Sequence, residues 1–392
     1  MDPWLIASLW VGLALISAMV SIRVGISVAL VEIGVGVLAG NFLHLAPNEW
    51  VNFLASIGSV LLTFLAGAEI DPGALRANLK ENLLIGFFSF LAPALGAFAL
   101  AFWIFKWNLH GAEIAGIALS TTSVAVVYAV MIESGLNETE LGKVILAACF
   151  VTDLGTVVAL GLIFASYNRW LLIFVALTSV ILWCLPAFTG WYFQEVGNRV
   201  SEPEIKFILF MLFILGGLAT YARSEAVLPA YLIGFVLARQ FLRNRVLMHR
   251  MRAIAFSILT PFYFLKAGSY VSFKAIAAGI VLIAAFFLVK MFTKVGGVLP
   301  FTSIFGFGRR RGIYTTLLMA TGLTFGTISA LFGLTHGYIN QAQYTVLVTV
   351  VILSAVLPTL VAERFFRPDA QSEPGSEITG SVPTVESMES EA

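Results

Sequence analysis

The sequence predicts an all-α polytopic membrane protein with about thirteen transmembrane helices, and three observations carry that prediction. The 392 residues are 59% hydrophobic and only 11% charged, where a soluble domain carries roughly 25% charged residues. Apolar runs of roughly twenty residues recur from one end of the chain to the other, each able to cross a ~30 Å hydrocarbon layer as a helix. The basic residues are spread unevenly among the connections between those runs, as expected when Lys and Arg collect on the cytoplasmic side.

The expected spans are 3–21, 25–41, 51–69, 83–105, 112–134, 140–166, 170–193, 204–222, 226–241, 253–271, 274–298, 312–332 and 341–362. With the N-terminus outside, sixteen of the 23 Lys and Arg residues fall in cytoplasmic connections and the C-terminal segment, four fall outside, and three lie within spans. That bias favours an odd number of crossings and a cytoplasmic C-terminus. Trp4, Trp50, Trp103, Trp107, Trp170 and Trp191 stand near proposed span ends, where interfacial aromatics belong. Met1–Pro3 lacks the basic start of a cleavable signal peptide, and the first apolar run is long enough to span.

Residues 1–365 therefore read as one transmembrane domain, and 366–392 as a cytoplasmic tail. From Pro368 onward there are six acidic residues and no basic ones, a composition too polar to bury a core and expected to be disordered. A net charge of +1 with no basic arm excludes a nucleic-acid binder. Cys149 and Cys184 sit in apolar runs and form neither a disulfide framework nor a metal site. No cofactor is called for.

Charged groups at membrane depth are expensive and mark function. Asp153, in ACFVTDLGTVV, lies halfway along its span with apolar helix on both sides. It is either a transport carboxylate or a structural one held by a neighbouring hydroxyl, Thr152 or Thr156. Glu69 in LTFLAGAEIDP, beside Asp71, and Glu32 in ALVEIGVGVLAG are supporting carboxylates or interfacial packing groups; Glu225 in ARSEAVLP is a fourth, less central carboxylate. Lys290 and Lys294, four residues apart in FFLVKMFTKVGGVLP, share one helix face. They either snorkel to the cytoplasmic interface or place one ammonium inward against a carboxylate. Lys266 is also deep and has no role in this reading.

Two spans look built to break. The fifth packs Ser120, Thr121, Thr122 and Ser123 at mid-depth, and the twelfth scatters Thr321, Gly322, Thr324, Gly326, Thr327 and Ser329 across its middle. Hydroxyls there can bond backbone carbonyls, and non-helical backbone at that depth is tolerated only in protein or around a cavity. The alternative is a close-packing helix surface. Interrupted spans in corresponding positions point to inverted repeats, here spans four to six and eleven to thirteen. A lone carboxylate in low dielectric holds a proton or a small cation, but not both. With alternating access, that competition is sufficient for cation:proton exchange.

At these motifs the chain resembles the monovalent cation:proton antiporters, in particular the NapA/KefC-like branch. The resemblance runs over about residues 20–362 through VEIGVGVLAG, FLAGAEID, TTSVAVVYAVMIESG, ILAACFVTDLGTVVALGLIFA, LPAYLIGFVLA and the K-V-G-G run. It implies inverted repeats, a homodimer, and a core domain of spans four to six and eleven to thirteen moving against a dimerisation domain. It places the ion-carrying aspartate at Asp153, the first crossing break at Thr121–Val124 and the second around Thr321–Gly326. Thr152, Thr121, Thr122 and Ser123 then attend the ion, Thr321, Gly322 and Thr324 form the second crossing helix, and Lys294, with Lys290 as fallback, balances charge. The chain departs from the family in two places. Thr152-Asp153 stands where members carry a carboxylate or amide pair, which implies electroneutral exchange. MATGLTFG replaces a charged stretch in the twelfth span. The expected partners are protons, Na⁺, K⁺ or Li⁺, and the bilayer of a prokaryotic inner membrane; a Kef-like potassium efflux system is the alternative. Enzymes fit poorly: only one Asp is deep, and His44, His110, His249 and His336 fall in loops or span ends.

Overall fold

The computed structural model describes residues 2–70, 72–134, 136, 139–164, 169–197, 199–222 and 226–368. Among them the chain is helical nearly throughout, with no strand. α1 (Pro3–Val24) starts with proline at its first position and the Asp2 carboxylate accepting the Trp4 amide at 3.0 Å; it stops at Gly25 in the left-handed region, φ 71°. α2 (Val28–Phe42) and α3 (Glu49–Ala68) follow, the latter capped by Asn48, which accepts the Val51 amide at 3.0 Å. A short α4 (Pro72–Ala77) leads into α5 (Leu79–Ala99), which widens into a π-helical turn at Leu100–Ile104. α6 (Leu109–Ser120) and α7 (Val124–Ser134) are the two halves of one interrupted pass.

α8 (Glu140–Ile163), α9 (Arg169–Val196), α10 (Pro203–Ala222) and α11 (Val227–Arg243) come next. α12 (Arg245–Ile254) joins α13 (Thr260–Ser269) through a π-helical turn at Ala255–Leu259. After a short α14 (Phe273–Ala278) come α15 (Ile280–Ile304) and the second interrupted pass, α16 (Arg309–Met319) and α17 (Thr324–Thr335). α18 (Gln341–Val361), opened by the capping box of Asn340 and Gln343, ends in a π-helical turn at Ala362–Phe366.

Every expected span overlaps helix. Nine helices among the described residues, each interrupted pass counted once, are long and apolar enough to cross a bilayer, and Val28–Phe42 is a shorter apolar helix. The spans expected at 25–41, 204–222, 226–241 and 253–271 are not among the nine, so the count of thirteen rests there on sequence. Helix also runs past the expected end of the membrane domain, to Phe366. Asp71, Glu225 and the tail from residue 369 lie outside the described residues.

Two groups of helices emerge from the packing. α5 to α8 and α15 to α18 surround the two interruptions, with α5 against α6, α8 and α15, and α17 against α6 and α18. Each triplet is a long helix, an interrupted pass and a long helix. Seven expected spans separate corresponding members, the odd number that an inverted repeat requires. The second group pairs α2 with α13 and α3 with α11 at backbone contact. A methyl group at Gly67 would strike the Tyr231 carbonyl, and one at Gly234 the Phe64 carbonyl. Small residues on both partners are what let membrane helices approach this closely.

Candidate ion site at the crossing helices

α6 stops at Ser120 because Thr121 turns extended, φ −64° and ψ 155°; α16 stops at Met319, and Leu323, φ −146° and ψ −72°, precedes α17. The two breaks satisfy each other. The Ser123 amide donates to the Thr321 carbonyl at 3.1 Å, and the Thr122 hydroxyl donates to the Met319 carbonyl at 2.8 Å. Thr321 returns its hydroxyl to Leu318 at 2.8 Å, and Ser123 Oγ accepts the Val126 amide at 3.4 Å, at the start of α7. Four helix ends, two rich in free carbonyls and two in free amides, thus meet in one buried spot.

Asp153 is carried beside this crossing by α8, which packs on α5, α6, α7, α11, α16 and α17. The residue is 2% exposed, and its Oδ1 has no hydrogen-bond partner among the described residues. The structural alternative for Asp153 required a bond from Thr152 or Thr156. Thr152 instead donates to Ala148 at 3.0 Å, and Thr156 donates to the Thr152 carbonyl at 3.0 Å. A hydroxyl has one proton to give, so neither holds Asp153.

The lysines correct the expectation that at least one of them reaches the interface. Lys290 and Lys294 are both fully buried. Lys294 Nζ donates to Ser89 Oγ on α5 at 2.9 Å and to Thr122 Oγ1 at 3.0 Å. Lys290 Nζ donates to Ser354 Oγ on α18 at 2.8 Å and lies against Gly322 in the second break. Neither forms an ion pair with Asp153; Lys294 acts on it through space. Snorkelling fails because the face of α15 that carries both lysines packs inward, on a helix in contact with α5, α16 and α18, where buried hydroxyls offer acceptors.

The structure therefore brings Asp153, Thr121, Thr122, Ser123, Thr321, Gly322, Lys290 and Lys294 together at the crossing. Thr152, although adjacent, points its hydroxyl at the Ala148 carbonyl of its own helix and, at 3.4 Å, at the Gly86 carbonyl of α5, and Thr324 opens α17. Glu69 ends α3 in an ion pair with Arg252, Oε1 to Nε 2.9 Å and to the terminal nitrogen 2.8 Å. Glu32 is buried on α2, which packs on α1 and α13. Neither shares a hydrogen bond or ion pair with the crossing residues. Sequence reading missed Ser89 and Ser354, whose only signal is a lone hydroxyl in an apolar run. It also missed Tyr231, whose hydroxyl donates to the Phe150 carbonyl at 3.1 Å across the α8–α11 contact.

A cavity of about 1050 Å³ opens between the two helix groups, walled by α3, α10, α13 and α17; Leu61, Tyr263, Lys266 and Phe332 are among its lining. No residue of either break lines it, and neither does Asp153.

The transmembrane sodium/hydrogen exchanger family matches residues 11–367, nearly the whole described region. The chain belongs to that family. This exchanger is 23% identical over 351 residues to a probable Na⁺/H⁺ antiporter of Methanocaldococcus jannaschii, covering 87% of the chain and 89% of the relative. It is 24% identical over 370 residues to a Na⁺/H⁺ antiporter of Enterococcus hirae, covering 89% and 94%. The structure of the sodium proton antiporter MjNhaP1 from M. jannaschii superposes with a TM-score of 0.68 at 14% identity, covering 92% of this exchanger and 98% of that chain, and so shares its fold. The family expectation and the expectation of crossing interrupted helices both hold.

Proposed function

We propose that this exchanger is a secondary antiporter in which a proton and a monovalent cation, Na⁺ first and K⁺ or Li⁺ as alternatives, compete for Asp153 during alternating access. One observation carries the reading: a buried carboxylate oxygen without a hydrogen-bond partner among the described residues, beside two broken helices. A carboxylate in that setting needs a positive partner. Lys294 is held to hydroxyls instead of to Asp153, which leaves the carboxylate free for a proton or a cation. Hydroxyls and carbonyls at the breaks, Thr121, Thr122 and Ser123 among them, are the remaining oxygen ligands, as hard cations require. Thr152 Oγ1, whose proton goes to the Ala148 carbonyl, keeps lone pairs for the ion and joins these ligands.

The rest of the mechanism follows from one carboxylate. The site is neutral with a proton and neutral with a monovalent cation, so the exchange is one for one and electroneutral. The helices around the breaks act as the moving core. The group of α1 to α3 and α9 to α13 acts as the dimerisation domain of a homodimer in a prokaryotic inner membrane, with the N-terminus outside. Lys294, with Lys290 one turn away, offsets the carbonyl ends of α6 and α16. Purified protein in proteoliposomes with an imposed ΔpH tests the core claim. Na⁺, Li⁺ or K⁺ should collapse ΔpH, and Asp153→Asn should abolish the collapse while the variant still purifies as a folded protein. A ΔpH that holds against all three cations with folded wild type rejects antiport.

A further inference from the structure

Cys149 and Met319 play no part in the exchange described above, yet they stand at its centre. Both are fully buried, and Cys149 Sγ lies 3.7 Å from Met319 Sδ, joining α8 to the last residue of α16. Met319 is also the residue whose carbonyl accepts the Thr122 hydroxyl, so its thioether hangs from the break itself. Cys149 precedes Asp153 by one helical turn, which places their Cβ atoms about 5–6 Å apart on one face. Cys149, Asp153 and Lys294 are close enough to act on one another electrostatically. The Asp153 Oδ1 is buried and without a partner among the described residues.

Plain packing would explain a cysteine against a methionine, since both behave as small or flexible hydrophobes. Here the Cys149 S–H is donated to Met319 Sδ, one helical turn from a buried carboxylate oxygen without a partner among the described residues. Thiolate and thioether are soft ligands that favour Cu(I)-type ions, whereas alkali cations prefer oxygen. We propose that Cys149 Sγ, Met319 Sδ and the Asp153 carboxylate form a soft-cation site that takes Ag(I) or Cu(I), overlaps the alkali-cation site, and blocks exchange when filled. The block rests on the antiporter reading of Asp153; the binding does not. Binding forms a sulfur–metal bond as the Cys149 S–H bond breaks: Cys–SH and Ag⁺ give Cys–S–Ag and one proton, which leaves to solvent. Met319 and Asp153 donate lone pairs, and no electron is transferred.

The test uses the full chain carrying Cys184→Ser, which removes the exposed thiol on α9, and silver nitrate in chloride-free buffer. Silver retained per chain after desalting should be one, and silver should inhibit ΔpH collapse in proteoliposomes. Adding Cys149→Ser should remove the bound silver, and Met319→Leu, which keeps the volume, should weaken binding about tenfold or more. Saturating Na⁺ should also weaken it. Thermal unfolding confirms that each variant is folded, and Met319→Leu supplies the answer if Cys149→Ser does not fold. Silver binding that is undiminished in both variants overturns the proposal. If silver binds with these dependences while no cation collapses ΔpH, the soft site stands and the antiporter reading falls. If exchange runs through Asp153 and no silver binds, the antiporter reading stands and the soft site falls.

Discussion

Lys294 on α15 and Asp153 on α8 are both buried beside the crossing, and they meet burial differently. The ammonium has two hydroxyl acceptors, Ser89 and Thr122, while Asp153 Oδ1 has no partner among the described residues. Thr122 is the pivot, since its oxygen accepts from Lys294 and its proton goes to the Met319 carbonyl. Thr122→Val keeps the shape and removes both bonds, leaving a buried ammonium with one acceptor and a carbonyl with none. The expected cost is about 1–3 kcal/mol, read as a lower thermal unfolding midpoint. A midpoint unchanged from wild type would mean that the bonds across the break are not what holds it. The charged members of this site were legible in the sequence because an isolated Asp or Lys in an apolar run has no innocent explanation. Their partners were not. Ser89 and Thr122 are 205 and 172 residues from Lys294, and no local pattern links residues so far apart. The same gap made snorkelling a reasonable expectation for a lysine pair near a span end.

At the scale of elements, the clusters of Ser, Thr and Gly marked both interruptions, although the second is narrower than its composition implied. Gly326, Thr327 and Ser329 lie inside α17, where the two hydroxyls bond carbonyls four residues back. Thr and Ser in a membrane helix can do this without breaking it, so composition locates a break better than it bounds one. The π-helical turns at Leu100–Ile104, Ala255–Leu259 and Ala362–Phe366 left no such trace in the sequence. Glycine substitutions separate the two kinds of close contact. A methyl group at Gly234 meets the Phe64 carbonyl, backbone that cannot yield without parting α3 from α11. A methyl group at Gly322 meets Lys290 Nζ first, the end of a flexible side chain that can swing off Ser354, and then Thr121 Oγ1 at 3.0 Å and the Thr121 carbonyl at 3.2 Å. Gly234→Ala should therefore lower the unfolding midpoint more than Gly322→Ala, by overpacking of about 1–3 kcal/mol. Gly322→Ala should instead slow ΔpH collapse, because it displaces a charge at the crossing. Equal midpoints for the two variants would show that the α3–α11 contact is slack.

At the scale of the whole molecule, the cavity between the helix groups ends short of Asp153, and no break residue lines it. Under the proposed antiport, a cation in that cavity reaches the carboxylate when one group of helices moves against the other. On that proposal the carboxylate is loaded from one side at a time, and its two cargoes exclude each other. This fixes the sign of the pH dependence. Lowering the pH fills Asp153 with protons and raises the apparent KM for Na⁺, by about tenfold per pH unit where the proton dominates, and leaves the maximal rate far less affected. Under the same proposal, one proton or one Na⁺ gives the moving group the same charge, so turnover is expected to generate no membrane potential. The check is a proteoliposome assay with a voltage-sensitive dye beside the ΔpH probe, with and without valinomycin and K⁺ to clamp the potential. Clamping should leave the Na⁺-driven rate unchanged. A rate that rises on clamping, with a dye signal before it, would require a second proton per cycle. Lys290 and Lys294, buried on hydroxyls and free of any ion pair with Asp153, would then be the groups to replace next, one at a time, until the potential disappears.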